Sequence, residues 1–279
     1  MKKVLVIGAN GFLGRNVVSK CIDMGWITDV IVNNGREWLH NGIRNTYKTN
    51  YIEKLTETNY DYIINTAACI PYGQYNVPNP GLITANIILP LSLHNTFPDA
   101  KIIFSSSISV YGNATGVINE LSDTISPTLY GLSKLSGELI TQHHKVHAII
   151  RFSSLYGAGM YTGSFIPRVV NDAKTKSKIT LLGTGERKQN YLHISDAADY
   201  CIYAALNGEN GVYLGVNTTA YENREVAKIV AENLPGCEIT NTGADSSPSF
   251  LYDNKHTIKS LKFSPQIRLE EGIKELIHA

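Results

Sequence analysis

A phenol and an ammonium four residues apart stand near the middle of the chain, in Tyr130-Gly-Leu-Ser-Lys134. On a helix that spacing puts both side chains on one face. A lysine beside a tyrosine favours phenolate by charge and brings the phenolic proton closer to transfer at neutral pH. Moving a proton to or from a carbonyl or an alcohol also needs a hydroxyl that orients the reacting oxygen. Ser105-Ser-Ser107 supplies three at the end of the preceding apolar run, and Ser107 is the candidate among them. Tyr and Lys at this spacing also occur on solvated helix faces, so the pair draws its weight from the company it keeps.

That company is a glycine loop, Gly8-Ala-Asn-Gly11-Phe-Leu-Gly14, directly after the apolar run Lys3 to Ile7. Small residues between a buried strand and a helix let the backbone turn tightly and approach a pyrophosphate at the helix N-terminus. Gly8, Asn10, Gly11, Phe12, Leu13 and Gly14 are therefore the expected dinucleotide contacts. Where an Asp or Glu would take the ribose 2′-hydroxyl of NAD, after the second strand, the chain has Asn33 and Asn34, followed by Arg36. An amide with a guanidinium nearby suits a 2′-phosphate, so NADP(H) is the expected cofactor and NAD(H) the alternative. A solvated Arg36 is the plainer reading of that residue.

The elements that must position these groups follow a βαβ order. Strands are expected at Lys3 to Ile7, Thr28 to Val32, Ile43 to Tyr47, Tyr60 to Thr66, Lys101 to Ser105, His147 to Phe152 and Val212 to Val216. Helices are expected from Phe12 to about Met24, Gly81 to Asn95, Ser126-Pro127 to about His144 with Ser126 as N-cap, and Asp196 to Leu206. The fold class is α/β: a Rossmann-like doubly wound parallel sheet with a smaller C-terminal substrate-binding lobe. Beyond Tyr156 the alternation fails, and short helical stretches mix with glycines where such a lobe would be inserted. The expected division is a dinucleotide-binding domain of residues 1–157 plus 190–217 and a lobe of residues 158–189 plus 218–279.

Bulk properties narrow the field. A net charge of +1 from interspersed residues gives no field for grasping nucleic acid or a membrane surface. No run approaches the ~18 apolar residues that span a bilayer, and the four widely spaced cysteines suggest neither zinc nor a disulfide framework, so no metal is expected and the cytoplasm is the default location. His193 reads as a structural histidine near a helix start. Tyr72, Tyr75 and Tyr161 lie in loops expected to border the cleft, where they could stack on a base or sugar or simply pack.

Together these residues resemble the extended short-chain dehydrogenases/reductases, specifically the nucleotide-sugar epimerase/dehydratase/reductase group. The resemblance covers nearly the whole chain. It extends to Asn65-Thr-Ala-Ala68, to Asn86, to Ser105-Ser-Ser-Ile-Ser-Val-Tyr-Gly112, to Arg151-Phe-Ser-Ser-Leu-Tyr-Gly157 and to the stretch from Gly183 to Asp196. It implies that Ser107, Tyr130 and Lys134 are the catalytic trio and that Tyr130 is the acid/base for a sugar hydroxyl or keto group. Lys134 would also hold the nicotinamide ribose, and Asn65, Ala67 and Ala68 would line the cofactor channel. Asn50, in a stretch to Leu55 that looks like the reductases of the group, joins the cofactor contacts. A homodimer through the helix of Tyr130 and the helix from Gly81 to Asn95 is implied as well.

Dehydratases of the group follow their active-site Thr or Ser with Asp-Glu, whereas Ser107 here is followed by Ile108 and Ser109. An apolar group and a hydroxyl cannot replace two carboxyls in eliminating water. Reduction or epimerisation remains. The preferred reading is NADPH-dependent 4-keto reduction of a 4-keto-6-deoxy sugar nucleotide; the alternatives are a 4-epimerase with tightly bound NAD and a non-catalytic dinucleotide sensor or scaffold, which would not need the trio. The substrate side departs from the group's pattern: Ser154 stands where Asn is usual, and Gln189-Asn190 where an Arg-Asp pair is usual. Arg187, Lys188 and Arg168 are the cations that could take over the diphosphate.

Overall fold

The computed structural model describes residues 1–33, 40–48, 52–53 and 55–278. In chain order the first half runs β1 (Lys3–Ile7), α1 (Phe12–Asp23), β2 (Ile27–Val32), β3 (Ile43–Lys48), β4 (Tyr62–Asn65), α2 (Pro80–Ile83), α3 (Leu89–Thr96), β5 (Lys101–Ser107), β6 (Val117–Ile118), α4 (Leu129–Gln142) and β7 (His147–Phe152). The second half runs β8 (Ser154–Tyr156), α5 (Phe165–Lys176), β9 (Lys178–Leu182), β10 (Lys188–His193), α6 (Ile194–Asn207), β11 (Val212–Gly215), β12 (Ala220–Glu222), α7 (Asn223–Asn233), β13 (Glu238–Thr242), β14 (Leu251–Tyr252), α8 (Lys255–Leu261) and α9 (Leu269–His278).

Seven strands form one parallel sheet in the order β11-β7-β5-β4-β1-β2-β3. Continuous Val/Ile/Leu runs without alternation make strands that need cover on both faces, and helices supply it. Val4 and Val6 of β1 join the layer under α1 and α6, with Val17, Val18, Ala197 and Cys201. Leu5 and Ile7 point the other way, onto Leu89, Leu93 and Phe97. From β1 the chain winds outward to β2 and β3, then returns to place β4 on β1's other side. That reversal opens a crevice beyond the carboxyl ends of β1 and β4, where open α/β sheets receive ligands.

The lobe is built on a separate core that includes Tyr156, Ile166, Val169, Ile179, Val226, Val230 and Ile273. A three-stranded sheet, β12-β10-β8, and the β13-β9 pair organise it, while α8 returns to pack on α6 and β11. No helix among the described residues is long and apolar enough to cross a membrane.

Two local outcomes differ from the sequence expectation. The helix carrying Tyr130 is capped by Thr128, whose hydroxyl accepts the Gly131 amide at 3.2 Å. Ser126, the expected cap, adopts φ +48 and belongs to the preceding turn. The helix expected from Gly81 is interrupted by a π turn at Thr84–Ile88. Pro90 explains the interruption: it has no amide for the carbonyl of Asn86 and its ring would collide with that carbonyl in a regular helix. The Leu89 amide bonds instead to the Thr84 carbonyl, five residues back.

Candidate active site

The glycine loop lies in the crevice between β1 and β4. Gly8 has φ +76, and a Cβ there would lie 2.8 Å from the Ala67 backbone just past β4. A Cβ on Gly14 would meet the Gly8 carbonyl at 2.2 Å, so α1 can sit this close to the loop only with glycine at its first turn. Gly11, in the N-cap position, brings no side chain to the first-turn amides and leaves them to an anion. Leu13 packs into the core with Phe12 against it, so these two residues offer a ligand their backbone more than their side chains. The Asn10 amide donates to the Asn33 carbonyl at 3.5 Å and ties the loop to the end of β2. Asn33 is exposed. Asn34, Arg36 and Asn50 lie outside the described residues.

Across the crevice, the fully buried Asn65 accepts the Ala67 amide at 3.1 Å, while its Nδ2 has no protein partner among the described residues. Ala67 is half-buried and Ala68 exposed. A cradle that any Cβ would fill, open helix amides and an orphaned buried donor fit a dinucleotide. Gly8, Gly11, Gly14 and Asn65 are the residues positioned to hold one.

Ser107 ends β5 and caps the short turn Ile108–Tyr111, its hydroxyl accepting the Ser109 amide at 3.1 Å. A Cβ on Gly131 would lie 2.2 Å from the Ser109 carbonyl, so the first turn of α4 presses directly on this turn. That contact brings Tyr130 to Ser107. Burial pushes the Tyr130 phenol well above its usual pKa, and a hydrogen bond from Ser107 opposes the rise. Lys134, one turn along, is fully buried and donates to the Ser105 carbonyl at 2.8 Å. Burial pulls its pKa down to about 7, against the nearby carboxylate of Glu138. The phenol therefore keeps its proton at neutral pH, one turn from a lysine whose charged form burial disfavours. Such a pair suits donating a proton to a developing alkoxide.

Support for this pair comes from residues the sequence reading did not rank. The Asn86 side chain donates to the Ser133 hydroxyl at 2.9 Å and accepts the Cys69 amide at 3.3 Å, joining α4 to the loop after β4. A Cβ on Gly137 would lie 2.3 Å from the Asn86 carbonyl, the one that Pro90 leaves without its helical donor. Arg151 on β7 pairs with the fully buried Glu138 at 2.7 Å, and Ser106 bonds the same carboxylate. A proline inside a helical pattern and an arginine inside the buried run His147–Phe152 were the available signals.

The substrate-side candidates converge on Tyr191, which was not singled out. Gln189 donates to the Tyr191 hydroxyl and to Asn223 Oδ1, both at 2.8 Å. Arg187 and Arg168 both act on the Tyr191 phenol, favouring its ionised form against the stronger effect of burial. Ser154, exposed, stands opposite Tyr191 in the β8–β10 register. Asn190 is buried and fully engaged: Oδ1 accepts the Ser153 hydroxyl at 2.8 Å and the Asn217 amide at 2.9 Å. His193 accepts the Ser195 amide at 3.3 Å and caps α6, as its structural reading anticipated.

Residues 4–215 match the model of the NAD dependent epimerase/dehydratase family. A protein provisionally named UDP-glucose 4-epimerase from Methanocaldococcus jannaschii is 27% identical over 99% of this chain and 97% of its own length. CDP-abequose synthase of Salmonella muenchen is 22% identical over 99% and 97%. In fold, the chain is similar to dTDP-glucose 4,6-dehydratase from Bacillus anthracis, solved in complex with NAD: TM-score 0.83, 20% identity, 100% of this chain and 96% of that one. The glycine cradle at the sheet's reversal and the match over most of the sequence lead to one conclusion: the chain belongs to the NAD dependent epimerase/dehydratase family.

Proposed function

We propose that the protein reduces a 4-keto-6-deoxy sugar nucleotide with NADPH, using Tyr130 as the proton donor. The observation that carries this reading is the buried Tyr130, within hydrogen-bond reach of Ser107 and one turn before the buried Lys134 on α4, with Ile108 and Ser109 where elimination of water would need two carboxyls. A bound nicotinamide would supply hydride to the carbonyl carbon. Ser107 orients the carbonyl oxygen and Tyr130 gives it a proton. Lys134 makes that transfer easier by favouring the phenolate left behind. Asn33 at the end of β2, with Asn34 and Arg36 next in sequence, supports NADPH over NADH. Arg168, Arg187 and Gln189 on the lobe of residues 158–189 plus 218–279, with Ser154 at the end of the dinucleotide-binding domain's first segment, receive the nucleotide diphosphate around Tyr191.

The test is to incubate the purified protein with NADPH or NADH and the CDP-, dTDP-, GDP- and UDP-linked 4-keto-6-deoxyhexoses in turn, following cofactor absorbance. Stoichiometric consumption of NADPH, faster than of NADH, supports the proposal. A second reading, 4-epimerisation, is favoured by the full-length relative from Methanocaldococcus jannaschii. It replaces the first if the protein purifies with NAD bound and interconverts UDP-glucose and UDP-galactose without added cofactor.

We also propose a homodimer through α4 and the Pro80–Thr96 helix, whose outer faces expose Leu132 and Leu139, and Ile83, Ile88 and Leu91. Leu132→Glu combined with Leu139→Glu should convert the dimer to a monomer in sedimentation. An unchanged sedimentation coefficient refutes this interface.

A further inference from the structure

Tyrosines that the proposed chemistry does not use close over Tyr130. Tyr72, in the loop between β4 and α2, stacks on Tyr161, in the loop between β8 and α5, with ring centroids 4.2 Å apart and planes 24° apart. One ring comes from the sheet side and the other from the lobe, so the stack bridges the cleft. Tyr75 lies 5.9 Å from Tyr130, centroid to centroid, and its carbonyl accepts the Tyr130 amide at 3.1 Å. Tyr72 and Tyr75 are both close enough to act electrostatically on the Tyr130 phenol. All three rings remain 40% to 51% exposed, an unusual concentration of open aromatic surface. Gly163 lets Tyr161 fold into place, since a Cβ there would lie 2.6 Å from the ring.

The two loops share a second property. Residues 69–79 (CIPYGQYNVPN) and 157–164 (GAGMYTGS) contain no Asp, Glu, Lys, Arg or His. Whatever lies between them meets ring faces, phenolic hydroxyls and amides, with no counter-charge from either loop. We infer that Tyr72, Tyr75 and Tyr161 form the platform for the sugar and select an uncharged, deoxygenated hexose over a hexuronate; this rests on the nucleotide-sugar reading above.

The C–H faces of a deoxyhexose pack on aromatic rings, and losing a hydroxyl leaves fewer polar groups to satisfy there. A carboxylate at C6 would instead be buried beside these loops with no cation from either of them, at a cost that grows with desolvation. Rings 4.2 Å apart leave no room for a hexose between them, so Tyr72 and Tyr161 must part to admit it. Tyr75, anchored by the Tyr130 amide, stays in place as the floor.

The experiment separates this inference from the reading beneath it. CDP, dTDP, GDP and UDP are titrated first by calorimetry, and each base that binds is then presented as its glucose, 4-keto-6-deoxyhexose and glucuronate conjugates. The neutral conjugates are expected to bind at least about tenfold tighter than the glucuronate. Tyr72→Ala and Tyr161→Ala are each expected to weaken the neutral conjugates by about fivefold while leaving the bare diphosphate unchanged, which also reports that the variants are folded. Equal or tighter glucuronate binding by the native protein overturns the inference, as does unaltered sugar-conjugate binding by both alanine variants. Failure of all four diphosphates to bind overturns the nucleotide-sugar reading itself, and the platform with it.

Discussion

Replacing Lys134 by methionine should stabilise the protein at neutral pH, and the gain should fade as the pH rises. The ammonium is 1% exposed, and its folded pKa falls from 10.5 to about 7 because burial outweighs the attraction of Glu138. A lysine depressed in this way binds fewer protons folded than unfolded throughout the interval between those values. Stability must then rise with pH across it, and the cost of the buried charge is felt most at and below pH 7. Between pH 7 and pH 9 the native protein should gain about 2 kcal/mol from this one group, at about 1.4 kcal/mol per unit less the part already titrated. Methionine has nothing to titrate, so the advantage of Lys134→Met should shrink by the same ~2 kcal/mol over that range. The lost bond to the Ser105 carbonyl and any change in packing do not depend on pH; they move the offset and not the slope. Lys101, also lowered by burial, is present in both proteins and cancels. Urea unfolding of both proteins without cofactor at pH 7, 8 and 9 measures the difference directly. A gap that stays constant across the three pH values refutes the claim that burial depresses the Lys134 ammonium in the folded protein.

Three further outcomes follow from the same geometry. Tyr130→Phe should lower kcat by about 10³-fold or more while leaving dinucleotide affinity unchanged, measured by turnover and by fluorescence titration of NADPH; surviving activity would remove Tyr130 from the mechanism. Gly14→Ala should abolish dinucleotide binding, because its Cβ would lie 2.2 Å from the Gly8 carbonyl, and the loss is read as a missing NADPH-induced rise in Tm. Arg151→Met should cost about 3–5 kcal/mol by leaving the buried Glu138 unpaired, and adding Glu138→Gln should recover much of it; an additive double variant would mean that the pair is uncoupled.

What was readable in the sequence was what depends on short-range geometry. Gly8 and Gly14 stand where a backbone turn and a close approach leave no room for a Cβ, and both constraints are met within a few residues of β1. Tyr130 and Lys134 are neighbours on one helix face wherever that helix sits. The cap of α4 was misplaced because Ser126 and Thr128 both carry suitable hydroxyls; Ser126 stands at φ +48, in a stretch packed closely against Gly112, and Thr128 accepts the Gly131 amide. Small strands such as β8 and β12, three residues each, pair with β10 across the lobe and leave no periodic pattern to detect. The clustering around Tyr191 was invisible for the same reason: it depends on α5, β8 and β10 meeting in three dimensions.

The distant contacts also bear on why the trio is held so tightly. Ser107 is fixed by the turn after β5, and Tyr130 by the pressure of Gly131 on that turn. Lys134 is fixed by the Ser105 carbonyl on β5. Every member is referred to a single strand end, so a displacement of α4 would move Tyr130 and Lys134 together relative to Ser107. Two buried ties resist that displacement, Glu138 to Arg151 on the β7 side and Ser133 to Asn86 on the helix side. The second depends on the π turn that Pro90 imposes, and Gly137 is the residue that lets α4 approach it. A proline that breaks a helix and a glycine with no side chain thus serve the same end as the tyrosine they support: they set where a proton can be delivered.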